Sequence, residues 1–467
     1  MRERNDSTPS GGSMSAVPGE WVSIFVGDDH PLLRLKQALD WEAIEAEMTK
    51  HWRAAGRHVD PGGRGRYWPV HLYAPLLVLM WVKAYHSRQM EEYLSESVVA
   101  RRFLELGDGE LEQIRDHSSI ARAEADLGAE GKAALNALII NTARELNFTD
   151  LQTLSADTTV QEPAIGHPNE PGILKGWAER IERSLRKLKA GGVKAAQSGI
   201  EKTKEIYRRV KAHHLFAKTK AEKQRLLEQL VAQSAELMEQ TKEVIRQVSH
   251  RCGRIKQRAK AKLAELVEVA RRLLPQIKQW LKTGVVATEK IIHAGITQAR
   301  AIPKGKGRVK FGLKWLINRL KGGYLFGQRV APRADENKMP EQALENYREL
   351  FGPQATPERI IYDRGASLPA AAAKLQAEGV KQVGIPPRGQ GEWLVGEKEQ
   401  KIVKSERGKT EGSICRLKSR KYGFSQRQER SLTTQDAVGQ RVIVSVNLNT
   451  LMRDLVAQAK AASLARG

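Results

Sequence analysis

Near the start of the chain Leu32, Leu33, Leu35, Leu39, Trp41 and Ile44 recur at close to helical spacing. They open a block of short helices over 30–145. Within it, residues 71–87 are apolar on almost every side, which places that helix at the centre of a small domain. Asp116, followed by His-Ser-Ser-Ile120, reads as an N-cap before a further helix. Such a block fits a helix-turn-helix DNA reader or a plain bundle that packs on another domain or subunit.

The period then changes. Over 147–160, Leu151, Thr153 and Ser155 alternate with Gln152, Leu154 and Ala156, and the run closes on Asp157-Thr-Thr. This predicts a short buried strand with a carboxylate at its C-terminal end. Residues 174–300 return to helical character, rich in Lys and Arg and nearly free of aromatics. Leu227, Leu230, Ser234, Leu237, Thr241, Val244 and Val248 step by three and four residues, a heptad seam with two polar members. Gly191, Gly192, Gly253 and Pro275 punctuate the stretch, so it divides into several helices.

Strand character resumes at 309–318 and 324–330, with Lys321-Gly322-Gly323 as hairpin turn chemistry. A helix is expected over 341–350. A short strand over 359–363 ends in Asp363, and Gly365 allows a tight turn. Ser367 is placed to cap the next helix, through 378, with Pro369 in its first turn. A strand over 380–385 stops at Pro386-Pro387. Helices over 399–421 and 434–457 follow, the last one amphipathic. Leaving out the central stretch, the order is strand, hairpin, helix, strand, helix, strand, helix. That order defines an α/β (α+β) fold, a mixed sheet with helices packed on it.

The expected organisation is therefore a disordered leader over 1–29, an N-terminal helical domain over 30–146, a sheet domain made of 147–173 and 301–460, and a coiled-coil-like helical insertion over 174–300. Charge adds a partner class. The 467 residues hold 78 Lys and Arg against 54 Asp and Glu, a net charge of +24. A balance this basic is the footprint of a polyanion binder, with nucleic acid first. Two cysteines, Cys252 and Cys415, stand far apart, which fits a reducing compartment and argues against a thiolate metal cluster. The first residues show no signal-peptide pattern. The longest apolar run is about half of what a bilayer span requires. These features point to a cytoplasmic protein with no membrane partner.

Candidate chemistry gathers at the C-terminal end. Arg407, Glu411 and Lys418 stand at i, i+4 and i+11. Those offsets depart from whole helical turns by roughly 40° and 20°, so the three side chains share one stripe. A carboxylate between two cations suits a site that handles phosphodiesters. Asp157 and Asp363 close predicted strands, and strand ends in such sheets open into the crevice where ligands bind. Three carboxylates are hard oxygen ligands suited to Mg²⁺ or Mn²⁺. Two such ions, about 4 Å apart, activate a water or 3′-hydroxyl and stabilise the leaving oxygen. Arg407 then offers a bidentate fork to phosphate, and Lys418 a point charge.

These residues resemble a family. Arg407, Glu411 and Lys418 match the last three positions of the Tyr-x2-Arg-x3-Glu-x6-Lys signature of DDE transposases from bacterial insertion sequences. Asp157 in Ser-Ala-Asp-Thr-Thr and Asp363 in Tyr-Asp-Arg-Gly match the family's two aspartates. The stretch from Val309 to Lys314, with Gly322-Gly-Tyr324 after it, is similar to the family's central hairpin. The resemblance runs from about Leu32 to Leu455. It implies a ribonuclease-H-like catalytic domain and a triad of Asp157, Asp363 and Glu411 holding two Mg²⁺ or Mn²⁺ ions. It also implies DNA contacts by Lys404, Arg407 and Lys418, with transposon ends and target as double-stranded DNA partners. A homo-oligomer, a dimer on DNA, is implied as well. Lys404 stands where the family has a tyrosine. Two other readings compete: a metal-dependent nuclease that cuts without joining, and a catalytically inactive DNA-binding relative.

Overall fold

The computed structural model describes residues 26–60, 68–106, 116–163, 165–249, 252–304, 308–366, 368–387, 391–393, 395–425 and 431–465. Residues 1–25, most of the expected leader, and the expected cap Ser367 lie outside the described residues. The described chain is a mixed α and β fold, as the pattern predicts. It divides into two compact units, 1–159 with 315–425 and 433–467, and 160–314 with 426–432.

Among the described residues the first unit opens with seven helices: α1 (Pro31–Ala38), α2 (Trp41–Ala54), α3 (Val70–Lys83), α4 (Ser87–Glu96), α5 (Val98–Leu104), α6 (His117–Asp126) and α7 (Gly128–Glu145). Every residue of α3 from Leu72 to Val82 is buried, so it is the central helix that its all-round apolar sequence predicts. Asp116 caps α6 by accepting from the Ser119 amide. The pattern treats 30–146 as a separate domain. In the structure these helices share one hydrophobic core with the sheet, in which Trp52, Leu76 and Ile139 join Leu154, Leu316 and Ile360.

The sheet strands are β1 (Thr153–Gln161), β3 (Arg308–Arg319), β4 (Leu325–Arg329), β5 (Arg359–Ile361) and β6 (Gln382–Gly384). Their order is β3-β1-β5-β6, with β4 also paired to β3. β1 and β5 run parallel, as do β5 and β6. β3 and β4 are antiparallel, joined through Lys321–Gly323, where Gly322 and Gly323 both take positive φ. Parallel neighbours need crossovers, and α12 (Met339–Phe351) and α13 (Leu368–Ala377) supply them. α14 (Glu397–Lys418) and α15 (Leu432–Leu464) complete the unit.

The structure departs from the pattern at two elements of this unit. β1 does not end at Asp157 but runs four residues further, to Gln161. Its neighbour β5 stops at Ile361 while β3, on the other side, is twelve residues long, so a ladder partner remains. α15 is not amphipathic: every residue from Val442 to Leu448 is buried, so that stretch is enclosed on all sides.

The second unit contains α8 (Glu170–Ala190), α9 (Ala196–Leu215), α10 (Lys220–Gln247) and α11 (Arg254–Thr283). Short turns join them, so successive helices run antiparallel, and α11 packs back on α8. This is an up-down four-helix bundle. Trp177 on α8 donates to the Leu266 carbonyl of α11 at 2.9 Å. A Cβ on Gly199 would stand 2.7 Å from Leu185 Cδ1, so glycine permits the close approach of α8 and α9. The seam residues of α10 from Leu227 to Val244 are buried. Helix is predicted as far as 300, yet it stops at Thr283 with Gly284 in the left-handed conformation. The unforeseen β2 (Arg300–Lys304) then pairs antiparallel with the first part of β3. Pro275 does not divide α11; Leu273, Leu274 and Ile277 around it are all buried, and this packing outweighs the missing backbone bond.

Candidate functional site

The site is built where α14 crosses the strands of the first unit. Gly384 on β6 packs so closely that a Cβ there would stand 2.4 Å from Val403 Cγ2 of α14. One turn later Arg407 Nη2 meets Asp363 Oδ1 at 2.5 Å, just past the end of β5. One turn later again, Thr410 Oγ1 donates to Ser155 Oγ of β1 at 2.8 Å, both residues buried. The helix therefore crosses β6, β5 and β1 in turn, with the i, i+4, i+7 spacing of one helical face.

The register of β1 and β5 pairs the residues that lead up to the two aspartates. Thr153, Leu154 and Ser155 pair with Arg359, Ile360 and Ile361. Asp157 lies two residues beyond Ser155, still within β1, and Asp363 two residues beyond Ile361, past the end of β5. Alternation puts Asp157 on the same face as Ser155, which is the face covered by α14. Each aspartate also accepts from the amide that follows it, Thr158 N at 2.6 Å and Arg364 N at 2.7 Å. This short local bond holds each carboxylate down against its own backbone.

Glu411 lies on α14 one turn beyond Arg407, with Oε1 3.8 Å from the same Nη2 that holds Asp363. Asp363 and Glu411 thus share one guanidinium. The Glu411 side chain is 64% exposed and that of Arg407 27%, so the glutamate opens to solvent while the arginine is sheltered. Lys418 ends α14, two turns past Glu411. Lys404 is exposed at the other end of the stripe, with Nζ 5.7 Å from the ring centroid of Trp393. Among the described residues no three Asp, Glu, His or Cys side chains stand together as a ready metal site. The donors of the three carboxylates are nevertheless of the hard type that divalent cations take, and Arg407 places positive charge between two of them.

Sequence reasoning missed the groups that hold this arrangement. Glu336, just ahead of α12, accepts from Thr158 Oγ1 at 3.2 Å and from Tyr362 Oη at 2.6 Å. These are the residue after Asp157 and the residue before Asp363, so one carboxylate clamps both strands from the opposite face. Burial, and then the charge of Glu336, push the Tyr362 phenol well above its usual pKa. α14 itself is pinned by Arg319 to Glu406 at 2.5 Å and by Arg359 to Glu399 at 2.8 Å. No local pattern marks Glu336 in the chain, because both partners are far away in sequence.

A family model described as Transposase domain (DUF772) matches residues 22–126, a stretch that includes α1 to α6. The match supports a transposition-related function. No curated protein and no solved structure matches the chain. Among the described residues no helix is long and apolar enough to cross a membrane.

Proposed function

We infer that the chain is a DDE-type transposase, which cuts phosphodiesters at the ends of a DNA element and joins the freed 3′-hydroxyl to a target. One observation carries this reading. Ser155 and Ile361, each two residues ahead of an aspartate, pair on adjacent parallel strands, and α14 brings Arg407 onto Asp363 with Glu411 beside it. The transposase-domain match at 22–126 and the net charge of +24 support double-stranded DNA as the substrate.

Asp157, Asp363 and Glu411 would hold two divalent cations, Mg²⁺ or Mn²⁺, which when bound supply activation of the attacking oxygen and stabilisation of the leaving one. The chain's own residues do the rest. Arg407 is anchored by Asp363 and presents its remaining N–H groups to a non-bridging phosphate oxygen. Lys418 adds a positive charge at the end of the same stripe. The attacking oxygen, from water or a 3′-hydroxyl, bonds to phosphorus as the opposite P–O3′ bond breaks. No side-chain nucleophile takes part.

Asp363→Asn is the test. An amide is a poor substitute for an anionic ligand, while affinity for DNA rests mainly on Lys and Arg contacts to phosphate. The variant is expected to lose Mg²⁺-dependent nicking of duplexes that carry the element's ends, yet to shift them on a gel as the wild type does. Full cutting by the variant would refute the mechanism. Pre-cut ends incubated with a plasmid separate the readings, since a nuclease leaves them unjoined.

A further inference from the structure

The second unit holds most of the protein's charge. Residues 160–314 contain 35 Lys and Arg and 14 Asp and Glu, a net +21 of the chain's +24. That charge is not evenly spread. The segments 183–200 and 244–264 contain no Asp or Glu at all. The first holds the turn between α8 and α9, the second the turn between α10 and α11. In an up-down bundle both turns fall at the same end, and the structure brings them together: a Cβ on Gly191 would stand 2.6 Å from Lys256 Cε. Lys187, Lys189, Lys194, Arg254 and Arg258 are exposed there, and Lys256 is half-buried beside them. Many of the charges along the helix sides are neutralised, as in Arg186–Glu182, Lys242–Glu239 and Arg271–Glu268. The two turns themselves supply no carboxylate to do the same.

The helix termini follow the same division. At the opposite end α8 and α10 are closed by their own side chains, Asn169 and Thr219, the latter in a capping box with Glu222. At the basic end the cap residues are Ala195 for α9 and Gly253 for α11, and neither helix has a side-chain cap. The positive ends of two long helices therefore face the same way as the cations; in α9 the Ala196 and Gln197 amides already donate to the Val193 and Lys194 carbonyls, while the first amides of α11 have no side-chain cap. Phosphate oxygens satisfy such amides directly.

The geometry points to this end of the four-helix bundle as a second DNA-binding surface, a cap that grips the phosphate backbone of a duplex without reading its bases. Lys194, Arg254 and Lys256 are its centre, and the bases are not addressed because bonds to phosphate carry no sequence information. The proposal rests on the reading that the protein acts on DNA, and adds where a duplex is held.

The test uses the full chain and a 30-base-pair duplex of arbitrary sequence, with fluorescence anisotropy at several salt concentrations. The triple variant Lys194→Gln, Arg254→Gln, Lys256→Gln is compared with Lys220→Gln, Lys223→Gln, Arg225→Gln at the opposite end of the bundle. Every phosphate that the protein no longer neutralises should flatten the plot of log affinity against log salt by about 0.9. The first variant is therefore expected to flatten it by roughly 2 to 3 and the second by less than half as much, with unchanged circular dichroism in both. Equal slopes in the wild type and the first variant, or equal flattening by the two variants, would overturn the assignment of this end. A wild type that binds anionic phospholipid vesicles and not the duplex would overturn the nucleic-acid partner. A wild type that binds no DNA would instead strike at the transposase reading itself.

Discussion

Gly384→Ala is a small change with a calculable effect. Gly384 lies on β6 opposite Ile361, and its missing side chain is what lets α14 lie close on the sheet. A methyl group there would stand 2.4 Å from Val403 Cγ2 and 3.3 Å from Ile361 Cγ1. Carbon atoms rest at about 3.5–4.0 Å, so α14 must retreat by about 1 Å or Val403 must leave its rotamer. Overpacking of this kind costs about 1–3 kcal/mol. Removing a glycine from a strand returns about 0.5–1 kcal/mol, which leaves a net loss of up to about 2.5 kcal/mol. The larger consequence is positional. Arg407 sits one turn past Val403, so a retreat of α14 draws the guanidinium away from Asp363 and takes Glu411 with it. Urea unfolding of the full chain should show the loss of stability, and nicking of end-bearing duplex a larger loss of rate than of DNA affinity. Val403→Ala removes the methyl that clashes, so the double variant should lose less than the two single variants together by about 1 kcal/mol or more. Strict additivity, or a Gly384→Ala protein with wild-type stability and rate, would refute the close packing and the positioning argument built on it.

Arg407→Lys keeps the charge but not the planar fork; nicking should fall by at least an order of magnitude while stability changes by at most about 1 kcal/mol, and wild-type cutting would reduce the Asp363–Arg407–Glu411 cluster to a surface ion pair. Lys132 is buried on α7 and donates to the carbonyl oxygens of Glu124 and Gly128 at 2.8 and 3.1 Å. Burial lowers its pKa from 10.5 to about 8. Between those values the unfolded chain holds a proton that the folded chain lacks, so stability should rise with pH across that window, by on the order of 3 kcal/mol. Urea unfolding at pH 8, 9 and 10 should show that rise in the wild type and not in Lys132→Met; equal slopes would sink it.

Helices and strands whose patterns are local are legible along the chain. Leu227 to Val244 mark the buried face of α10, Asp116 the cap of α6, and the apolar run from Leu72 to Val82 the enclosed helix α3, because each depends on spacing within a few turns. The mixed sheet is legible for the same reason, from alternation and from Gly322-Gly323. The spacing of Arg407 and Glu411 also places both on one helix face.

The rest depends on contacts between segments far apart in the chain. Asp157 and Asp363 are 206 residues apart in the chain, and nothing local states that their strands are parallel neighbours in that register; pairing is chosen by which strand buries which face. The turn chemistry after Asp157 looks final in the sequence, yet the long strand β3 beside β1 keeps it extended to Gln161. The amphipathic reading of α15 fails because a few polar residues in its first half find partners inside: Asn447 bonds the backbone of Leu325 and the side chain of Asn136. Glu336 shows the limit most plainly. It opens a single 3-10 turn, Glu336–Lys338, too short to show a period, and its role exists only because Thr158 and Tyr362, from two distant segments, arrive at the same carboxylate.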